Sequence, residues 1–154
     1  MIPTLYVMIG PAGSGKTTFA KSIRGADVIS TDQLRKEMFG DEAVQNEGHR
    51  VFSAAYHLMR MWLNMGLNVV FDATNTTTKA REEIIRHAAG VECRKVAVYM
   101  NTPRGECKLN NNKRERKVLN EVINRQDWQM ERDAQTIVEQ FDEIIIVNGW
   151  KEKK

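Results

Sequence analysis

Residues 10–17 read GPAGSGKT, a glycine-rich turn that ends in a lysine and a threonine. Gly10, Gly13 and Gly15 let the backbone turn with no Cβ in the way, so successive N–H groups can face inward. A concave row of amides at the start of a helix binds anionic oxygens. Gly10, Ala12, Gly13, Ser14, Gly15, Lys16, Thr17 and Thr18 would line that cradle. Lys16 has the spacing to reach the β- and γ-phosphates of a nucleoside triphosphate, and the Thr17 hydroxyl the spacing to ligate Mg²⁺. The pattern G-x-x-x-x-G-K-T also arises by chance. Here an apolar run stands directly before it and a helical pattern directly after, which is the context the chemistry needs.

A phosphate cradle does not define a reaction. Moving a phosphoryl group to a hydroxyl takes a carboxylate that accepts the proton and a cation that holds the acceptor. Asp32, in ISTDQLRKE, follows the second apolar run, where the carboxyl end of a parallel strand opens on the same crevice as the glycine loop. Aspartate is equally suited to capping the helix that follows, and position alone does not separate the two roles. Arg35 lies one turn on, on the same helix face, with a planar fork that could bind an acceptor phosphate. Asp72 closes VVFD, the form of a second nucleotide-site motif, and could hold Mg²⁺ through water or brace Arg35. From pattern alone Asn75 reads as a turn residue and Arg81 as a solvated helix residue.

The segment KLNNNKRERK, residues 108–117, carries a net +4, more than the +3 of the whole chain, so the other 144 residues sum to −1. Cations concentrated in this way suit a lid over phosphates, and a solvated basic face would look the same. His49, His57 and His87 have no metal-ligand spacing and receive no role. Met8, Met59, Met61 and Met65 read as core fillers or surface methionines, and Trp128 as a partly exposed structural residue.

These side chains need a scaffold, and the rest of the pattern supplies one. Short apolar runs at 4–9, 27–30, 68–72, 94–100 and 143–147 read as strands. Helical patterns fall at 16–24, 33–39, 49–65 and 79–89, and a longer helical region starts at Pro103 and runs to about 140. Thr31 or Asp32 would cap the second helix. Val51, Ala55, Leu58, Trp62 and Met65 form one apolar stripe; Leu119, Val122, Ile123, Met130, Ile137 and Phe141 form another, which Gln126 interrupts. Strands alternating with helices give an α/β fold, a five-stranded parallel sheet with helices on both faces.

The chain has 154 residues, one domain's worth, and 42% hydrophobic against 28% charged residues, which argues against disorder. No stretch approaches the ~20 apolar residues of a membrane helix. Cys93 and Cys107 form no CxxC or Cys/His pattern and read as free thiols of a reducing compartment. With no targeting pattern, the expected location is the cytoplasm, or the host cytoplasm if the chain is phage-encoded.

The order GPAGSGKT, STDQLR, DATNTTTKAR and then an arginine-bearing helix resembles the polynucleotide 5′-hydroxyl kinase family of P-loop phosphotransferases. It is most similar to the kinase module of bacterial RNA-repair enzymes, and similar also to the bacteriophage polynucleotide kinase. The likeness runs from about Leu5 to about Val147 and implies a single-domain P-loop kinase fold. Residues 1–148 would be that domain, with a helical lid over about 103–117, and 149–154 a tail. By position the resemblance makes Asp32 the general base, Arg35 the acceptor-phosphate ligand, and Lys16 and Thr17 the contacts to ATP (or another NTP) and Mg²⁺. It makes Arg114 and Arg116 the lid arginines, and gives Asp72, Asn75 and Arg81 to the acceptor side or its bracing. Similar kinases often carry an arginine where this chain has Asn110.

The expected activity is therefore transfer of the ATP γ-phosphate to the 5′-hydroxyl end of DNA or RNA. Similar scaffolds act on hydroxymethylated bases in DNA, nucleosides or small metabolites, and a non-catalytic ATP-gated binding module is the alternative outside enzymology. No membrane partner is expected, and a homo-oligomer is left open.

Overall fold

A computed structural model gives the fold and describes residues 2–40, 47–114 and 117–148. The tail expected at 149–154 and the lid residue Arg116 lie outside the described residues.

Five strands form one parallel sheet: β1 Thr4–Ile9, β2 Ala26–Ser30, β3 Asn68–Asp72, β4 Arg94–Asn101 and β5 Glu143–Asn148, in the spatial order β2-β3-β1-β4-β5. The helices between them are α1 Lys16–Ser22, α2 Thr31–Phe39, α3 Gly48–Asn64, α4 Thr78–Ala88, α5 Arg104–Asn112, α6 Asn120–Asp133 and α7 Ile137–Gln140. The central strands β1, β3 and β4 read as apolar runs because both their faces are covered, whereas the edge strands β2 and β5 are only partly buried. Leu5, Val7 and Ile9 join Val69, Phe71 and Ala97 under α3, α4, α6 and α7. Their neighbours Met8, Val70, Val98 and Met100 face the other way, against Phe19, Ala20 and Ile23 of the α1 segment.

The chain passes from β1 out to β2, returns to β3, then crosses to β4 on the far side of β1. The sheet order thus reverses at β1, and the loop after β1 opens into the crevice at that switch point. Two bonds fix where this loop starts. The Gly10 N–H donates to Thr74 O at 2.9 Å, and the Asn75 side-chain amide donates to Met8 O at 2.8 Å. Asn75 is buried and holds a left-handed φ of 48°, a turn geometry that asparagine tolerates.

Three sequence expectations are corrected. Ser30 is the N-cap of α2, its side chain accepting the Gln33 N–H at 3.2 Å; Thr31 and Asp32 lie in the first turn of the helix. The buried face of α3 is Val51, Ala55, Met59 and Leu63, while Leu58 and Trp62 only flank it and Met65 is 67% exposed at the helix end. The long helix toward 140 is broken: α6 ends at Asp133, Ala134–Thr136 form a 3-10 turn, and α7 follows. Ile137 and Phe141 are buried as that pattern expected, but Leu119 is exposed at the start of α6. The break has a cause in α4, given below.

Candidate active site

Everything that could do phosphate chemistry comes from the carboxyl ends of the strands. The glycine loop follows β1, Asp32 follows β2, Asp72 ends β3, and α5 with Arg114 follows β4. Gly13 and Gly15 hold φ of 78° and 89°, so the turn uses the left-handed backbone that glycine permits. A Cβ on Gly13 would stand 2.1 Å from the Cys107 carbonyl oxygen of α5. A Cβ on Gly10 would stand 2.5 Å from Ser14 Oγ. At Gly13 the neighbour's backbone and the turn both call for glycine; at Gly10 the close approach of Ser14 does so, without a left-handed backbone.

Lys16 opens α1, and its ammonium donates to Pro11 O at 3.5 Å, inside the loop. Burial lowers its pKa; Asp72 and then Asp32 pull it back up, and Arg114 pushes it down. These charges surround one ammonium, so Asp32, Asp72, Arg114 and Lys16 occupy one cleft. Asp32 Oδ1 accepts from Arg35 Nη1 at 3.0 Å, and Oδ2 lies 3.8 Å from Arg114 Nη2. Arg35 is buried, and its Nε–H has no hydrogen-bond partner among the described residues. A buried cationic donor left unpaired costs free energy, and an anion placed there would recover it.

Thr17 Oγ1 donates to Asp72 Oδ2 at 2.9 Å, while Asp72 Oδ1 is buried without a partner among the described residues. Burial raises the Asp72 pKa against the opposing effects of Lys16 and the Thr17 hydrogen bond. A hydroxyl and a carboxylate side by side, one carboxylate oxygen unused, fit a hard divalent cation such as Mg²⁺. Thr17 and Asp72 are thus the pair in the cleft that could hold such a cation.

Asn75 and Arg81 sit behind the cleft. Arg81 is fully buried, which corrects its reading as a solvated helix residue. Its guanidinium donates to Gln140 Oε1 at 2.8 Å, Asn75 O at 2.9 Å, Asp133 O at 2.6 Å and Thr136 Oγ1 at 3.1 Å. These bonds join α4 to the Asn75 turn and to the segment after α6. They also explain the break after α6, since a continuous helix would have engaged the Asp133 carbonyl in its own ladder. Asn75, with its amide on Met8 O, braces the root of the loop in the same way.

Sequence reasoning missed three contacts on the outer side of the loop. Gln126 Oε1 accepts the Ala12 N–H at 2.9 Å, the Asn110 amide donates to Gly13 O at 2.9 Å, and the Thr102 hydroxyl donates to Ser14 O at 2.8 Å. Gln126 was visible as a polar residue inside an apolar stripe; Thr102 carried no such signal. Trp128 is 57% exposed beneath Arg132, and burial pushes the Cys107 thiol up to about 11, which makes it a poor nucleophile.

Fold and cleft define the class: a P-loop domain of the kinase type. The chain belongs to the AAA domain family, whose sequence pattern matches residues 5–133. No curated protein matches it. Among solved structures it resembles a chain of the Pnkp1/Rnl/Hen1 RNA repair complex, with a TM-score of 0.79 and 19% identity over 88% of this chain and 46% of that one. It also resembles a gluconokinase from Sinorhizobium meliloti 1021, with a TM-score of 0.62 and 17% identity over 98% of this chain and 85% of that one. A third is the Mycobacterium tuberculosis APS kinase CysC, with a TM-score of 0.58 and 20% identity over 72% and 69%. The chain spans less than half of the RNA-repair chain, and the shared property at these identities is the fold. Among the described residues no helix is long and apolar enough to cross a membrane.

Proposed function

We propose that the protein is an ATP-dependent kinase that phosphorylates the 5′-hydroxyl end of DNA or RNA in the cytoplasm. The observation that carries this reading is the pairing of Asp32 with Arg35 and Arg114 in the cleft that holds Lys16. A pure nucleotide switch has no use for a carboxylate on the acceptor side, and a small neutral acceptor has no use for a buried arginine with an unpaired donor.

In this mechanism the loop amides and Lys16 bind the β- and γ-phosphates of ATP. Thr17 and Asp72 would hold Mg²⁺, which offsets charge on the migrating group when bound. Arg35 holds the phosphate of the acceptor strand and orients the Asp32 carboxylate. Asp32 takes the proton from the acceptor hydroxyl as its oxygen bonds to the γ-phosphorus and the bond from that phosphorus to the β–γ bridging oxygen breaks. Arg114, with Arg116 as a second lid cation, offsets charge on the oxygens in flight.

The same fold in a gluconokinase and an APS kinase keeps a second reading in view, a kinase of another hydroxyl. One assay separates these readings. The protein is incubated with γ-labelled ATP and, separately, a 5′-OH oligonucleotide, its 5′-phosphorylated form, a hydroxymethyluracil duplex with blocked ends, nucleosides and polyols. Label on the 5′-OH oligonucleotide alone is expected. Label on the blocked duplex, a nucleoside or a polyol moves the acceptor assignment, and bound ATP with no label on any acceptor removes the kinase reading.

A further inference from the structure

The glycine loop is the least constrained backbone in the site by sequence, yet it is held from outside. Gly13 and Gly15 flank the peptide units 13–14 and 14–15, and a peptide beside glycine can turn over at little cost. Both units are anchored by their carbonyls. Asn110 of α5 holds Gly13 O at 2.9 Å, and Thr102, between β4 and α5, holds Ser14 O at 2.8 Å. In a planar trans peptide the carbonyl and the following N–H point in opposite directions. Drawing Gly13 O toward α5 therefore aims the Ser14 N–H back across the loop, where it meets Pro11 O at 3.1 Å. Drawing Ser14 O toward Thr102 aims the Gly15 N–H away from Thr102. Contact between Gly13 and the Cys107 carbonyl closes the same seam, and Cys107 packs with Ala12 and Ile123.

We propose that Thr102 and Asn110 are positioning residues that set the phosphate-receiving shape of the glycine loop by fixing the Ser14 and Gly13 carbonyls. The proposal rests on the loop being a nucleotide site, as in the preceding subsection, and not on which hydroxyl is phosphorylated. It assigns Asn110 to the loop backbone; a neutral amide can serve there because its partner is a carbonyl and not a phosphate.

The test is isothermal calorimetry with Mg²⁺ and ADP on the full chain. Thr102→Val keeps shape and removes the donor, and Thr102→Ser restores it. We expect about tenfold weaker ADP binding for Thr102→Val and for Asn110→Ala, the loss of about 1.4 kcal/mol that one lost anchoring hydrogen bond would give. Thr102→Ser should bind within about twofold of the parent, a rescue that a packing role would not need. In turnover assays the KM for ATP should rise while that for the acceptor stays put. Parent-like ADP affinity in Thr102→Val, or in Asn110→Ala should the valine variant not fold, overturns the proposal. So does a parent chain that binds no ADP, and that result takes the nucleotide reading with it. A parent that binds ADP but labels no acceptor ends the kinase reading alone, and weakened ADP binding in the variants then still supports these positioning roles.

Discussion

At the scale of single residues, the cleft is electrostatically costly before anything binds. The Asp72 pKa is raised by burial even though Lys16 and Thr17 pull it down, so its charge is a net cost in the folded chain. The native state keeps a proton on Asp72 that the unfolded chain has lost, and stability falls as pH rises from the ordinary carboxylate value through the raised one. Lys16 is shifted the other way by burial, so its contribution is fullest above the ordinary lysine value and is lost as pH falls through the lowered one. Burial thus works against the charged form of both groups, and the binding of phosphate and a divalent cation would favour those charged forms. Asp72→Asn is therefore expected to raise the melting temperature of the ligand-free protein at pH 7 while removing the Mg²⁺ dependence of ATP binding. Scanning calorimetry and titrations with and without Mg²⁺ read the two effects, and a lower melting temperature would mean that Lys16 needs this counter-charge more than burial penalises it. Asp32→Asn is a sharper test of the proposed base. ATP affinity should stay within about twofold while kcat falls by at least about a hundredfold; comparable turnover in variant and parent would remove Asp32 from proton transfer.

Elements decide whether these residues meet. The central strands were legible in the sequence because a parallel strand buried on both faces is a bare apolar run, and VVFD leaves little else to read. The second half of the chain was less so. Ile137 and Phe141 kept a helical spacing with Met130, and no proline or glycine marked the break between α6 and α7. That break exists because Arg81, distant in sequence, takes the Asp133 carbonyl and the Thr136 hydroxyl. The N-cap was misread for a related reason, since Ser30, Thr31 and Asp32 all have capping side chains and only the chain's exit from β2 selects Ser30. Arg81 thus joins α4, the Asn75 turn and the α6–α7 junction through one guanidinium. Arg81→Met should destabilise the fold by about 3–5 kcal/mol, because buried acceptors lose a charged donor. In a domain of this size that is a fall of roughly 6–20 °C in melting temperature. At low temperature the folded fraction should bind ATP with near-parent affinity; a large affinity loss without a stability loss would make Arg81 a ligand contact instead.

For the whole molecule, the reversal of sheet order at β1 turns four sequence-distant loops into one cleft. The glycine motif was legible because its chemistry is local. The grip of Thr102, Asn110 and Gln126 on that motif was not, because their partners are backbone atoms about ninety or more residues away. Charge is distributed with the same economy. The positive charge of residues 108–117 exceeds that of the whole chain, and Arg114 of that segment reaches Asp32 just beyond the end of α5. Asn111 of α5 pairs with both the carbonyl and the N–H of Val118, at 2.7 and 3.1 Å, so the end of α5 is tied to the stretch that leads into α6. Lys113 and Lys117 are exposed on the basic tip between them. If the acceptor is a polynucleotide, its backbone beyond the reacting end must cross this patch and release counterions there. The logarithm of acceptor KM should then rise linearly with the logarithm of salt concentration, by about 0.7 for each phosphate contacted on a single strand. Replacing both Lys113 and Lys117 with alanine should lower that slope by about 1.4 for a 5′-OH 20-mer and leave the ATP KM unchanged. A mononucleotide bearing only a 3′-phosphate reaches Arg35 but not the tip, so its KM should show no such change. An unaltered 20-mer slope in the double variant would mean that the strand leaves the cleft by another side, and a flat salt dependence in the parent would favour a small-molecule acceptor.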